Sequence, residues 1–223
     1  MSISATAAAA NGDSITIPTH QAGDTIVLAV YRHDSNTAAT VPTGWVVKSQ
    51  AGNATNSLIM ATKIAASSAE TSGTWTNATQ LGCWVLQGSV GLLLVGGIAA
   101  GGGTAGSGGS INYPVLTAAS TLTNQWILAA AGHRSIDTDI ETAPSGLTFR
   151  AGVVGASAGE LALHDSNANR NTWATTNYTL TAGTSSGYRS AILQVCESDY
   201  LPAGGTGGGS LINSHALVRG FVI

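Results

Sequence analysis

The sequence predicts an all-β protein made of two similar, duplicated units, each like a β-sandwich or jelly roll and with very little helix. Three observations support this prediction. Short apolar runs alternate with turns rich in Gly, Asn and Thr, which is typical of sandwiches. No window shows a sustained apolar stripe of helical period with caps at its ends. Finally, the order of features in the first half of the chain recurs in the second half.

The repeat can be followed by residue number. Four matched pairs lie at slowly growing offsets: Ile26 and Ile127 (101 residues), Gly44 and Gly146 (102), Leu58 and Leu161 (103), and Leu86 and Leu193 (107). Short loop insertions would produce such a drift. Because two copies are too few for a solenoid, the prediction is a duplicated β-unit, packed as two lobes or as one large sandwich. The alternative is chance similarity between strand-rich segments of low complexity.

The first unit is predicted to span residues 1–95. It begins with a small-residue arm at 1–12 and a short alternating strand at 14–18. Thr25–Arg32 is apolar on both faces, which predicts a central strand. A Pro-Thr-Gly turn then precedes WVVKS. Further strands are predicted at SLIMATKIA, around Trp75 and at CWVLQGS.

A glycine-rich stretch at residues 96–110 is predicted to be the junction, or hinge, between the units. It contains a G-x-G-x-x-G match, but no predicted helix follows it, so a dinucleotide site is not indicated. The second unit is predicted at residues 111–200, with QWILAAAGH as its central strand. Residues 201–223 are predicted to be a glycine-rich linker and an apolar C-terminal tail.

Composition excludes several classes of partner. Charged residues make up only 9% of the chain and the net charge is −3, so no basic surface for nucleic acid is predicted. The most apolar run is about half the ~20 residues that a membrane helix needs, and no secretory signal is evident. We therefore expect no membrane partner and synthesis in a cytoplasm. Cys83 and Cys196 are predicted to be small buried hydrophobes.

Motifs that resemble catalytic or metal sites are weak. Ser185 lies in a G-x-S-x-G match that joins two β runs, whereas a nucleophile elbow needs a strand, a turn and a helix. The chain is therefore predicted not to be an enzyme and to need no cofactor. Residues 165–169 begin like a calcium loop, but Arg170 stands where glycine is required. A second loop with Asp137, Asp139 and Glu141 is either a loose cation site or a solvated loop.

The histidines and tryptophans each have two interpretations. His33 and His133 end the two central strands at places that the repeat makes equivalent, and we interpret them as polar strand ends rather than metal ligands. The five tryptophans either line a glycan-binding platform or pack in the core. Most of them have aliphatic neighbours within predicted strands, which favours the core.

The order of these features resembles a group of bacteriophage and prophage β proteins that are described as virion or minor tail proteins. The resemblance covers roughly residues 14–196, and each motif alone is weak. The matching segments are Gly23 to Val30, Pro42 to Trp45, Ile59 to Ala65, Thr74 to Thr76, Trp84 to Gln87, Pro114 to Thr117, Trp126 to Ala131, Pro144 to Gly146 and Ala191 to Val195. The resemblance implies a structural or binding role in the virion and supplies no catalytic residues.

The first hypothesis is therefore a non-enzymatic virion structural protein, made in the host bacterial cytoplasm, that decorates the head or attaches to the tail. The alternative is a receptor- or carbohydrate-binding module on the same particle, with a host surface glycan as ligand. Because few charges give little repulsion between copies, a homo-oligomer such as a trimer is expected. The other expected partners are capsid or tail proteins.

The C-terminal tail is predicted to anchor the protein in part. Ordering a glycine-rich end costs conformational entropy, so apolar contacts elsewhere would have to offset that cost. We expect residues 211–223 to pack against another subunit or virion protein, by adding a strand to a sheet edge. The predicted contact residues are Leu211, Leu217, Val218, Arg219, Phe221, Val222 and Ile223.

Overall fold

A computed structural model describes residues 3–53, 55–88, 93–105, 110–116, 125–134, 142–155, 159–168, 170, 176–179 and 186–197. Within these ranges the chain forms strands, turns and coil, and no helix. The strands are β1 (Ser4–Asn11), β2 (Thr25–Arg32), β3 (Val46–Asn53), β4 (Asn56–Ile64), β5 (Gln80–Gln87), β6 (Leu93–Ala105), β7 (Ser110–Tyr113), β8 (Gln125–His133), β9 (Thr148–Val154), β10 (Glu160–Asp165), β11 (Thr176–Thr179) and β12 (Ser186–Glu197).

Two five-stranded antiparallel sheets have the same strand order. The first sheet runs β1-β5-β2-β4-β3 and the second runs β6-β12-β8-β10-β9. Strands β2 and β8, which correspond to the two predicted central strands, both lie in the middle of their sheets. The all-β fold and the duplication are therefore confirmed at the level of topology. Strands β7 and β11 form a separate two-stranded sheet.

The two units also share a β-bulge at matching positions of their sheets. The pairing of β3 with β4 shifts by one residue at Lys48, between Val47 and Ser49. The pairing of β9 with β10 shifts in the same way, because Leu163 faces Ala151 while His164 faces Phe149 and Arg150 is skipped. Each sheet thus carries a β-bulge in its edge strand, with a basic residue at the extra position.

The strand register corrects the alignment of the last strand. Thr25 faces Leu86 in the first sheet, and Trp126 faces Val195 in the second. Because Trp126 follows Thr25 by 101 residues, the partner of Leu86 in the repeat is Val195, at an offset of 109, and not Leu193. A slip of two residues leaves every side chain on its own face, which is why the hydrophobic pattern did not reveal it.

The two sheets share one core, so the chain is one sandwich and not two lobes. Inward side chains of both sheets form a single apolar cluster that includes Val27, Met60 and Trp84 from the first sheet and Leu128 and Leu193 from the second. Contacts between the sheets are reciprocal: β1 meets β9 as β6 meets β3, and β5 meets β10 as β12 meets β4. The units are therefore related by an approximate twofold axis along the strands, as in an isologous dimer.

Each sheet is also covered on its outer face. Loops lie over the first sheet, where Ile15, Ile17, Trp45 and Trp75 pack on β2, β4 and β5. The indole nitrogens of Trp45 and Trp75 both donate to the carbonyl of Ser72, at 2.9 and 3.0 Å. Strand β7 covers the second sheet. This four-layer arrangement explains why the central strands are apolar on both faces.

Two equivalent turns have the geometry that their sequences predict. Trp45 N donates to the carbonyl of Pro42, and Leu147 N donates to the carbonyl of Pro144. The third residues of these turns, Gly44 and Gly146, have φ of 89° and 82°. Positive φ at that position is what a type II turn requires, and glycine adopts it without strain.

Four predicted segments differ from the structure. Most of the predicted arm at 1–12 is the edge strand β1, and residues 93–105 are the edge strand β6, so the glycine-rich stretch is not a hinge as far as Ala105. Residues 14–18 and 74–76 were predicted as strands but are coil and turn. Their apolar residues are nevertheless buried, because an alternating pattern reports which side chains face the core and not whether the backbone joins a ladder.

Candidate functional site

A buried group of polar side chains closes one end of the sandwich, where β2 and β8 both end. We call it the polar end cluster. It contains Tyr31, His33, Asn56 and Gln80 from the first unit and Arg134 and Arg189 from the second. Most of these side chains are almost inaccessible: Tyr31 and Asn56 are 0% exposed and Gln80 is 1% exposed. So much buried polarity in a protein with few charges marks this end of the fold as the candidate site.

The repeat explains how the cluster is assembled. Arg134 follows His33 by 101 residues, the offset of β2 and β8, and Arg189 follows Gln80 by 109 residues, the offset that the strand register gives to β5 and β12. The approximate twofold axis therefore brings two pairs of equivalent positions together. The first unit places an imidazole and an amide there, and the second unit places two guanidinium groups.

Tyr31 lies at the centre of the cluster because the opposite sheet leaves room for its ring. A Cβ atom on Gly132 would lie 2.3 Å from the Tyr31 Cδ2 atom. The Tyr31 hydroxyl accepts a hydrogen bond of 3.2 Å from Asn56 Nδ2. Gln80 Nε2 donates across to the second sheet and lies 3.2 Å from the carbonyl oxygens of Val153 and Gly159. These contacts fix both the ring and the sheet spacing.

The charges of Arg134 and Arg189 both act on the pKa of the Tyr31 hydroxyl. Burial raises the pKa of Tyr31, while the hydrogen bond from Asn56 and the charges of Arg134 and Arg189 oppose that rise. Arg189 is 7% exposed, and its Nη1 donates to the carbonyl of Tyr188 at 3.0 Å. Burial lowers the pKa of Arg189. Among the described residues, no carboxylate forms an ion pair with either arginine.

A second buried polar group lies on the other face of the second sheet, under β7. The Tyr113 hydroxyl lies 3.0 Å from His164 Nδ1. His133 Nδ1 lies 3.8 Å from a carboxylate oxygen of Glu160. Leu161 and Leu163 point into the shared core whereas Ala162 packs under β7, so Glu160 and His164 share this outer face. Glu160 is therefore on the opposite side of the sheet from Arg134 and Arg189.

His164 makes stability depend on pH in acid. Burial lowers the pKa of His164 from its ordinary value of 6.5 to about 4. Between those values the unfolded chain binds more protons than the folded chain, so stability falls as the pH falls through this window. The full difference corresponds to about 3 kcal/mol at 1.36 kcal/mol per pKa unit.

We expect His164→Asn to remove this part of the acid sensitivity, because the amide can replace Nδ1 at the Tyr113 hydroxyl and does not titrate. Urea unfolding at pH 7, 5.5 and 4 measures it. The free energy of unfolding should fall more steeply for the wild type than for the variant, and parallel curves would contradict the assignment.

A buried ion pair lies at the opposite end of β10. Arg150, the bulge residue of β9, donates to both carboxylate oxygens of Asp165 at 2.6 and 2.8 Å. Asn167 N also donates to this carboxylate, at 2.9 Å. The guanidinium occupies the place where a cation would have to bind, so the described residues 165–168 form a structural turn and not the start of a calcium loop.

Several predicted site residues lie outside the described residues. They include Ser185, the loop residues Asp137, Asp139 and Glu141, and all of the tail from Leu211 to Ile223, namely Leu217, Val218, Arg219, Phe221 and Val222 in between. Their roles stay predictions. The context of Ser185 is clearer, because residues 186–197 form strand β12 and not the helix of a nucleophile elbow.

Other predicted residues can be placed. Trp45, Trp75, Trp84 and Trp126 are buried, so the core interpretation is confirmed for them; Trp173 lies outside the described part. Both cysteines are buried, as predicted, and no disulfide joins them; burial raises the pKa of Cys196 to about 11.

One prediction about the histidines was wrong. The repeat pairs His133 with Arg32 and His33 with Arg134, one residue away from the expected match of His33 with His133. In a strand, neighbouring residues point to opposite faces. His33 therefore contacts Gly159 at the cluster, whereas His133 is beside Glu160.

The described ranges lack two kinds of feature, a metal-binding group of side chains and a membrane-spanning helix. No three His, Cys, Asp or Glu side chains in them are grouped as a metal ion would require. None of their residues belongs to a helix long and apolar enough to cross a membrane.

Comparison with known proteins gave no match: no family model fits the chain, and no curated protein or solved structure is significantly similar to it. The function therefore has to be argued from the chain itself.

Proposed function

We propose that this chain is a non-enzymatic structural protein of a bacteriophage virion, attached to the head or tail as a homo-oligomer. The observation that carries the proposal is a contrast between the sheet edges. Strands β3 and β9 are edges with a bulge and a basic residue, Lys48 or Arg150. Strands β1 and β6 are the other two edges, and neither contains a charged residue or a proline.

Edge strands without charges or prolines, such as β1 and β6, favour association between copies. An edge strand presents unpaired backbone donors and acceptors, and monomeric proteins block such edges with charges, prolines or bulges. Strand β1 reads SATAAAAN and pairs with β5 in unbroken register, so the strand itself contains none of these blocking features. A protein that assembles would keep such an edge, because strand addition supplies main-chain hydrogen bonds.

The arrangement of the edges supports closed assembly. Strand β1 lies beside β9 on one side of the sandwich, and β6 lies beside β3 on the other. Each copy therefore offers an edge strand without charge or proline on each side, and the β6 edge has one register shift, opposite Leu193 and Val195 of β12. Head-to-tail pairing of β1 with β6 of the next copy closes into a ring when the rotation allows it, and the trimer predicted from the sequence is such a ring.

The low charge and the sequence resemblance support the virion setting. A carbohydrate-binding role receives no support from the described residues, because four of the five tryptophans are buried and form no exposed aromatic row. The proposal therefore gives the chain an assembly role and assigns no reaction to it.

A charge on β1 tests the proposal. Thr6 is exposed on this strand, so Thr6→Lys should leave the fold within about 0.5 kcal/mol of the wild type. It should nevertheless convert the oligomer to monomer in sedimentation velocity. The matched control is Val47→Lys on the already protected strand β3, where Val47 is 39% exposed, and this variant should stay oligomeric. A Thr6→Lys variant that assembles like the wild type would contradict the role of β1.

A further inference from the structure

We infer that the polar end cluster is a binding site for an oxyanion, a carboxylate or phosphate group held between Arg134 and Arg189. The site is distinct from the assembly edges. It lies at the end of the sandwich, between the sheets, and the proposed function does not use it.

No carboxylate of the described residues forms an ion pair with Arg134 or Arg189. The charges of both arginines act on the buried Tyr31 hydroxyl. Within the described ranges, the side-chain hydrogen bonds of these two residues amount to one contact, from Arg189 Nη1 to the carbonyl of its neighbour Tyr188. The Nε atoms of both guanidinium groups are buried without a hydrogen-bond partner there. Burying a charge without a partner is costly, so this arrangement favours a bound anion.

The donors of the two guanidinium groups suit a carboxylate or a phosphate. A guanidinium offers a planar fork of donors that matches the paired oxygens of a carboxylate or phosphate. Two other polar groups belong to the same cluster: the Tyr31 hydroxyl, and His33, whose Nδ1 is likewise buried without a partner in the described part of the chain. Arg134 is only partly buried, so one side of the cluster is accessible to a solute.

The two units place different residue types at the equivalent positions of this cluster. At the equivalent positions, the first unit carries His33 and Gln80 and the second carries Arg134 and Arg189. Histidine and glutamine at those positions of the second unit would make this end of the fold symmetric. The second unit instead places two positive charges there, whereas Glu160, whose charge also acts on Tyr31, lies on the opposite face of the sheet. A structural role alone does not require that pair of charges.

The test is thermal unfolding of the full chain with inorganic phosphate, sodium acetate or sodium glucuronate, each against sodium chloride at equal ionic strength. The wild type should gain a saturable rise in Tm from at least one of the three. Phosphate alone would indicate a phosphate ligand, and glucuronate above acetate would indicate an acidic sugar. Isothermal titration with the best probe should then give one site per chain.

Two variants and a control make the result specific. Arg134→Gln and Arg189→Gln should each abolish the Tm rise, and Arg189→Gln should melt higher than the wild type in chloride because a buried charge is removed. Arg32→Gln is the control, since Arg32 pairs with Asp34 nearby and outside the cluster, and it should respond like the wild type. If no probe shifts the wild type more than it shifts Arg134→Gln, the site binds no oxyanion and the inference is overturned.

Discussion

Gly132→Ala is expected to lower the free energy of unfolding by about 3 kcal/mol, the upper range for overpacking a core with one carbon atom. The added Cβ would lie 2.3 Å from Tyr31 Cδ2 and 2.5 Å from Cε2. The ring cannot retreat, because it is fully buried and its hydroxyl is hydrogen-bonded to Asn56. The clash lies between two residues that are equivalent in the repeat, so only one of them can carry a large side chain at the axis.

A double-mutant cycle in urea separates this clash from a general loss of stability. Tyr31→Ala removes the ring and costs stability by opening a cavity. On that background Gly132→Ala should cost far less than it does in the wild type. Equal costs in both backgrounds would mean that the two sheets do not meet at these residues.

Arg150→Met is expected to destabilise the fold by about 3–5 kcal/mol, the usual cost of leaving one partner of a buried ion pair alone. The Asp165 side chain is 0% exposed and depends on two hydrogen bonds from Arg150. Burial raises the pKa of Asp165, and Arg150 opposes that rise. Loss of the guanidinium therefore leaves a buried carboxylate that must take up a proton or remain charged without its partner.

A second substitution that restores stability distinguishes loss of the ion pair from lost packing of the long Arg150 side chain over Trp126. Asp165→Asn keeps an acceptor for Asn167 N and removes the charge, so adding it to Arg150→Met should restore part of the stability. Arg150→Lys keeps the charge with one donor group and should fall between wild type and Arg150→Met. If Arg150→Met costs less than about 1 kcal/mol, as an exposed pair would, the interpretation is wrong.

The sequence predicted the fold where side chains carry a strong pattern. β-branched and aliphatic runs gave β2, β4, β5, β8, β10 and β12, because those strands are buried on both faces. The first strand of each unit was missed. Strand β1 is rich in alanine and β6 is rich in glycine, and both residues are depleted in strands. Their pairing with β5 and β12 supplies the hydrogen bonds that local preference does not predict.

The polar end cluster was missed for a different reason. Its members come from five separate segments of the chain and meet only because the two units pack about an axis. One signal was present: polar residues stand at the ends of matched strands, at His33 and Arg134 and at Gln80 and Arg189. The second pair could not be matched from the sequence, because the alignment of the last strand was two residues out of register.

The location of the protein tests the central claim most directly. Under the proposed virion role, phage particles purified from cells that express this gene should contain the chain in many copies, as counted by quantitative mass spectrometry against the major capsid protein. Immunogold labelling should then place it at regular positions on the head or tail. If the chain is made in infected cells but is absent from particles purified to constant composition, the virion role is contradicted.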